Sequence, residues 1–466
     1  MHEPIAVPVT PGLRSFDDPD EPLWYHRPER GGFVSFLTLD GRRKGRQTSV
    51  HLHELPETLR AIRARDEPNV YVSQNEFFAR NRRAVNCARM TSSFLDLDTY
   101  RVPRLAGLPL ASVLEQLEEE LHRRNLPQPS LIVHSGRGLQ PKWVLTEPIP
   151  RAAWPRWHAV QAGLLRALGD FGADSRAIDV SRVLRLVGSR SSRTNTRAEV
   201  VWQARVPTLG ATRVGHRVLY DFESLAETVL PLGREQLAQL AAQRIAKCEA
   251  ADAGKQAPRT LLRTGAKALS AQQLAWDRLE DLRRLASLRG WDDGAPPGNR
   301  NAFVFLAACF LAQTGFRQSL RTEVSELAMQ FAPTWSAREV HDATDTALAR
   351  VKAAERGETV VWDGKAVDPR YRFTNAWLLE FLSIEACEES QLQTIIGRDE
   401  ARRRDRQRKA RQRELAGMCS RQAYLDGADA RRLAARRLKS EGLSLKRIAE
   451  QLGISKSSAS RYCADL

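Results

Sequence analysis

The chain has 466 residues, room for roughly two to four domains of ordinary size, so the volume of a hydrophobic core sets no limit on its fold. Lysine and arginine number 72 against 56 aspartates and glutamates, and the formal charge of +16 favours a polyanionic partner, nucleic acid before membrane. Six cysteines (Cys87, Cys248, Cys309, Cys387, Cys419 and Cys463) form no C-x-x-C pair, which argues against a zinc ribbon and a secreted disulfide framework. The first residues lack the basic flank and apolar run of a signal peptide, and no stretch has the length that spans a bilayer. The expectation is a soluble cytoplasmic protein with no membrane partner.

Residues 1–30, rich in proline and charge, read as a flexible N-terminal arm. From Gly32 onward short apolar runs alternate with polar helical stretches. Phe33-Val-Ser-Phe-Leu-Thr-Leu, Val70-Tyr-Val-Ser and Phe94-Leu-Asp-Leu-Asp read as strands, and Val113 to Leu121 carries helical apolar spacing. Leu131-Ile-Val-His, a glycine-rich turn and Lys142-Trp-Val-Leu suggest a hairpin, and Trp154 to Leu168 an amphipathic helix. Arg182-Val-Leu-Arg-Leu and Glu199-Val-Val-Trp close a mixed α+β region over 31–215.

Residues 216–285 read as a helical linker region, broken at 251–258 by an Ala/Gly/Pro stretch. Residues 286–396 follow as a second helical domain, with apolar helices at 302–313, 321–331 and 337–351. A basic linker helix over 397–431 and a compact module over 432–466 complete the chain.

Three segments carry chemistry. On a strand, Asp96 and Asp98 point to one face. Two carboxylates so placed repel unless a cation lies between them, and their hard oxygens suit magnesium or manganese. In His134-Ser-Gly-Arg-Gly-Leu-Gln-Pro-Lys-Trp, Gly136 and Gly138 let backbone amides approach an anion, while Ser135, Arg137 and Lys142 offer donors to phosphate. In the third segment Asp174 precedes a strand bearing Arg182 and Arg185 and a basic loop with Arg190 and Arg193, a carboxylate beside phosphate clamps. Asp179 is the rival to Asp174.

In order and spacing these segments resemble the three motifs of the archaeo-eukaryotic primase superfamily, in particular the primases of plasmid and phage replication proteins. The first is an apolar strand with acid-x-acid (Phe94 to Asp98). The second is a Ser/Gly turn entering a strand (Ser135 to Trp143), and the third an acid eight residues before R-x-x-R (Asp174, Arg182, Arg185).

The resemblance spans residues 30 to 215 and implies an RRM-like sheet with helices that carries out divalent-metal-dependent nucleotidyl transfer. It makes Asp96, Asp98 and Asp174 catalytic ligands of Mg2+ or Mn2+. Ser135, Gln140, Lys142, Arg182, Arg185, Arg190 and Arg193 become nucleotide-binding residues. Many members carry histidine where this chain has Gln140, whose amide can donate a hydrogen bond but carries no charge. Gly298-Asn-Arg-Asn and Tyr371-Arg-Phe-Thr-Asn carry a looser likeness to the helical domains that follow such cores and support primer initiation.

The segment from Leu438 to Tyr462 has the layout of a helix-turn-helix. Ser444 and Ser455 stand as caps, Gly453 as the turn, and Leu438, Leu445, Ile448, Leu452, Ile454 and Ala459 as the core. Lys456, Ser457, Ser458, Ser460 and Arg461 are then left on the helix that could enter a major groove. The arginine run containing Arg402, Arg403 and Arg404 would follow a phosphate backbone.

The expectation is therefore an α+β primase-type core, all-α domains and a terminal helix-turn-helix. Its partners are a single-stranded DNA template, nucleoside triphosphates, double-stranded DNA and, because no G-x-x-x-x-G-K-[ST] occurs, a separate helicase. A catalytically inactive DNA-binding initiator or regulator is the alternative, and a metal-dependent nuclease a third reading.

Overall fold

The computed structural model describes residues 20–39, 45–205, 211–231, 236, 239, 265–314, 320–362, 364–415 and 421–464. These fall into two compact units, one drawn from Met1–Phe373 with Leu392–Thr394, the other from Thr374–Gln391 with Ile395–Leu466.

In the first unit the runs rich in valine, phenylalanine and leucine form the middle of a sheet. β1 (Phe33–Leu39), β3 (Val70–Ser73), β5 (Cys87–Phe94), β6 (Leu131–His134) and β7 (Leu139–Pro150) alternate with α1 (Leu55–Arg65), α2 (Leu110–Arg123) and α3 (Trp154–Ala167). β4 (Glu76–Phe77), β8 (Val183–Arg185), β9 (Glu199–Gln203) and a hairpin of β10 (Ala211–Val214) and β11 (Arg217–Tyr220) complete it, in the order β10-β11-β7-β5-β4-β1-β3-β8. An edge strand β2 (Gly45–His51) lies beside β1, and β6 pairs with both β7 and β9. The pairings are antiparallel except where β11 meets β7 in parallel. The class is mixed α+β. β11 and a helix at Phe222–Val229, α4, occupy the start of the 216–285 stretch expected to be a helical linker, and β11 extends the sheet into it.

The strand carrying the first motif ends earlier than its pattern predicts. At the end of β5 a helix side chain holds Phe94: the Gln161 amide of α3, fully buried, accepts from the Phe94 amide at 3.0 Å and donates to its carbonyl at 3.1 Å, while the Leu95 amide still donates to the Pro141 carbonyl of β7 at 3.1 Å. Trp157, one turn earlier, donates its indole N–H to the Ser92 carbonyl at 2.9 Å. The chain then runs extended through Leu95 and Leu97, both fully buried.

The assignment of residues 1–30 to a loose arm is corrected over its described part. Glu21–Trp24 form a 3-10 turn, and Glu21, Trp24, Tyr25 and His26 are buried. Trp24 and Tyr25 join Leu131, Val133, Val144, Val200 and Leu219 in one core cluster. Beneath this cover lies the fully buried Lys142, whose ammonium donates to Glu21 at 2.7 Å and to the Tyr25 hydroxyl at 3.3 Å. Burial pushes that ammonium down from its ordinary value and the Glu21 carboxylate opposes the shift.

Helices α5 (Gly265–Leu288), α6 (Arg300–Leu311), α7 (Leu320–Phe331) and α8 (Ala337–Glu355) belong to the same unit. They hold the short turn before β5. Glu323 accepts from the Val85 amide at 3.0 Å, Glu326 from Asn81 and Asn86 at 2.8 and 2.6 Å, and Arg283 donates to the Val85 carbonyl.

In the second unit, α9 (Asn375–Phe381) and a short turn of helix at Ala386–Glu389, α10, precede α11 (Arg398–Leu415), α12 (Arg421–Ser440), α13 (Leu445–Leu452) and α14 (Lys456–Tyr462). The last three enclose Ala435, Ile448, Ala449 and Ala459. Ser455 caps α14 by accepting from the Ser458 amide, and Gly453 closes α13 in the left-handed region; Ser444 stands at the start of α13 without a side-chain capping bond. No helix among the described residues is long and apolar enough to cross a membrane.

Removing one partner of a buried ion pair leaves the other charge stranded, which costs about 3–5 kcal/mol. Lys142→Met is expected to lower the urea midpoint by a corresponding amount. Pairing it with Glu21→Gln should restore much of the loss, and equal midpoints for the single and double variants would refute the pairing.

Candidate functional site

The three sequence motifs meet through backbone hydrogen bonds. Leu97 and Leu139 exchange both amide bonds, at 2.8 and 3.0 Å, the Asp98 amide donates to the Gly172 carbonyl at 2.9 Å, and the Asp174 amide to the Asp96 carbonyl at 2.9 Å. The close approach depends on two glycines. A Cβ on Gly138 would stand 2.3 Å from the Leu97 carbonyl oxygen, and one on Gly172, at φ +77°, 2.8 Å from that of Asp98.

This seam sets two carboxylates beside one guanidinium. Arg182 Nη2 lies 3.2 Å from Asp96 Oδ2 and 3.2 Å from Asp174 Oδ2. Gln140 Nε2 donates to Asp96 Oδ1 at 3.4 Å, and its Oε1 is buried without a hydrogen-bond partner. Burial pushes the Asp96 carboxyl above its ordinary range, and the adjacent Asp98 adds to the rise, while Arg182 and Gln140 oppose it. Asp174 also accepts from the Arg176 amide, so its own turn fixes it. Asp98 is a quarter exposed and pairs with Arg101 at 3.0 Å. Asp179 is turned away, accepting from the Ser181 amide at 2.7 Å. The geometry thus brings Asp174, and not Asp179, to Asp96. Among the described residues no three acidic, histidine or cysteine side chains stand close enough together to hold a metal ion.

Around this pair the basic residues divide. Arg185 donates to the Tyr71 hydroxyl at 2.8 Å and to Asn69 Oδ1 at 3.3 Å, with its guanidinium over the Tyr71 ring. Burial lowers its pKa, as does the neighbouring charge of Arg137, while Tyr71 and Asp96 raise it. Arg137 is exposed and stacks 4.3 Å over the Tyr100 ring. Ser135 closes its own turn on the Gly138 carbonyl. Arg190 bonds Asn195 at 3.1 Å and approaches Asp66 at 3.9 Å, and Arg193 is exposed.

Lys142 is a correction. It is not brought to this site, because it lies two residues deeper along β7 than Gln140 and is covered by the Glu21–Trp24 turn. His134 is half-buried in β6, and burial lowers its pKa.

Sequence reasoning missed Asn69, Tyr71 and Tyr100. A signal existed for the first: Asn69 has φ +54°, a conformation in which asparagine is enriched. Its side chain there binds Arg185 and accepts from the Ser192 amide.

In the second unit Lys456, Ser457, Ser460 and Arg461 are exposed on α14, and Ser458 is engaged with Ser455. On α11, Arg403 and Arg404 pair with Glu400 at 2.6 Å and hold its carboxyl down to about 2, whereas Arg402 is exposed, 3.7 Å from Asp399. Arg404 also donates to the Glu389 and Ser390 carbonyls.

No protein-family profile matches the chain. A replication protein of Clostridium perfringens is 26% identical over 333 residues, which cover 71% of this chain and 69% of that protein. Among solved structures, the AEP domain of the cyanophage S-2L primase-polymerase is similar with 17% identity and a TM-score of 0.33, over 46% of this chain and 97% of that one. The primase RepB′ is similar with 14% identity and a TM-score of 0.25, over 72% and 96%.

Because burial raises the Asp96 carboxyl, its ionised form costs folding free energy above the raised pKa. That cost disappears as pH falls and the folded protein takes up the proton. In chelator, Asp96→Asn is expected to unfold at a higher temperature than the wild type at neutral pH, with the difference shrinking toward acid pH. A variant less stable than the wild type at neutral pH would contradict this.

Proposed function

We propose that the chain is a DNA primase acting in replication initiation of a plasmid, phage or other mobile element, joining nucleotides on a single-stranded template. The observation that carries this reading is the convergence of Asp96, Asp174, Arg182 and Gln140 from three separate motifs. The replication protein of Clostridium perfringens, similar over most of both chains, supports the replication setting.

The donor chemistry suits a hard divalent cation. Asp96 and Asp174 already converge on one cationic nitrogen, and the buried Gln140 Oε1 beside them is an acceptor without a donor. Asp96 and Asp174, with Asp98 joining from its pairing with Arg101, would hold Mg2+ or Mn2+. Bound there, the ion would lower the pKa of an attacking 3′-hydroxyl and screen the triphosphate's charge. Arg182 and Arg185 would orient the phosphates, with Ser135, Arg190 and Arg193 at the rim and Arg137, stacked on Tyr100, beside them. Gln140 would fix the rotamer of Asp96. The terminal three helices would act as a helix-turn-helix that presents Lys456, Ser457, Ser460 and Arg461 to a major groove, while α11 adds salt-dependent backbone affinity through Arg402 and its neighbours. A separate helicase would open the duplex.

The pairing of Asp98 with Arg101 favours a second reading, a DNA-binding initiator without catalysis. Incubation with single-stranded DNA, labelled nucleotides and manganese separates the two. Labelled primers from the wild type and at least about a hundredfold less from Asp96→Ala with Asp98→Ala are expected, since general electrostatic and metal assistance is worth at least that much. Product that persists in the double variant refutes the site, product from neither supports the binding protein, and a shortened template supports a nuclease. Truncation after Gly397 should abolish preference for one duplex sequence in a mobility-shift assay while primer synthesis continues; unchanged preference would remove the terminal helices' role.

A further inference from the structure

Away from the carboxylates, one surface of the sheet unit carries a row of flat groups in contact. Phe33 and His51 stand directly opposite each other across β1 and β2, with ring centroids 4.2 Å apart. His53 stacks on His51 at 5.2 Å and 24°, and the Arg80 guanidinium lies 5.3 Å from the Phe33 centroid. The two ends, Arg80 and His53, are exposed, and the inner pair is half-buried. Two residues before Arg80, Phe78 is 40% exposed, with Arg151 5.2 Å from its ring centroid.

His51 ends β2 and its amide donates to Glu54, while Arg80 donates to the Ser49 carbonyl and meets no carboxylate among the described residues. The ledge is not part of the candidate site. Phe33 starts β1, whereas Tyr71, which holds Arg185, pairs with Leu37, about 13 Å further along the strand at ~3.3 Å per residue.

We infer that this row is a base-stacking ledge for single-stranded nucleic acid. Surfaces that grip unpaired strands without reading their sequence combine aromatic faces, on which bases stack, with cations that meet the phosphates. Rings and a guanidinium in one contiguous row, on a chain of net charge +16, supply both. An apolar protein partner would meet a cation at one end and an imidazole at the other, a poor match for a hydrophobic contact. The inference deepens the proposed function by placing the template strand on a named surface, and rests on that reading for its choice of partner.

The test compares the full-length chain's affinity, by fluorescence anisotropy, for a labelled oligothymidylate and for an abasic strand of equal length. The ratio of the two isolates stacking from backbone charge, including that of the terminal helices. The wild type is expected to prefer the strand with bases by at least about fivefold, the lower end of what one stacked base contributes. His53→Ala with Arg80→Ala should lose most of that preference, and Phe33→Leu, which keeps apolar volume but removes the ring, should lower it independently. Asp96→Ala with Asp174→Ala should leave it unchanged. A ratio that survives both ledge variants overturns the inference, as does a ledge variant that changes the oligomeric mass in light scattering but not the ratio. Loss of primer synthesis as a property of the wild type, with the base preference intact, would overturn the enzymatic reading and leave the ledge standing.

Discussion

Four backbone hydrogen bonds join Leu97 to Leu139, Asp98 to Gly172 and Asp174 to Asp96, and everything chemical in the first unit depends on them. Here the main chains of the segments that carry Asp96, Gln140 and Asp174 touch, and that contact sets the two carboxylates beside one guanidinium. Touching requires that nothing larger than hydrogen stand at Gly138 and Gly172. Gln161 steadies the approach to this seam by taking the Phe94 amide and carbonyl, while the pairing with β7 runs on through Leu95 to Pro141 and Leu97 to Leu139. Asp96 is thus carried on extended backbone whose neighbours, Leu95 and Leu97, are paired to β7.

The charge balance at the seam follows from this placement. Asp96 is enclosed enough for burial to raise its carboxyl, and the Arg182 guanidinium opposes that rise while also meeting Asp174. Partly buried carboxylates of this kind cost stability, and proteins retain them where a ligand or a reaction uses the charge. The unpartnered acceptor of Gln140 beside Asp96 has the same character.

How much of this was legible depends on how local its cause is. β3 and the hairpin of β6 and β7 follow from runs such as Val70-Tyr-Val-Ser and Leu131-Ile-Val-His, which bury side chains on both faces, and α3 from its apolar spacing after Pro155. β2 escaped notice because Gly45-Arg-Gln-Thr-Ser-Val-His is an edge strand whose first four residues face solvent and carry no apolar alternation. The meeting of Asp96 with Asp174 was anticipated from motif order, and the choice over Asp179 came from contacts that spacing does not encode. Lys142 was misread for a physical reason. Its neighbourhood in sequence is a glycine-rich turn, but its neighbour in space is Glu21, and no local pattern reveals a partner so distant.

That distance has a consequence for how the molecule forms. Glu21 and Lys142 are separated by 121 residues, and the ammonium has no shelter until the turn at Glu21–Trp24 closes over β7. During synthesis the early segment must wait for β7 to be made, with Trp24 and Tyr25 still uncovered. Contacts that span so much chain are reached slowly, because loop closure must be completed before any of their energy is gained. The pair therefore gains its energy only once a loop of more than a hundred residues has closed, which ties the placement of the Glu21–Trp24 turn to the completed sheet.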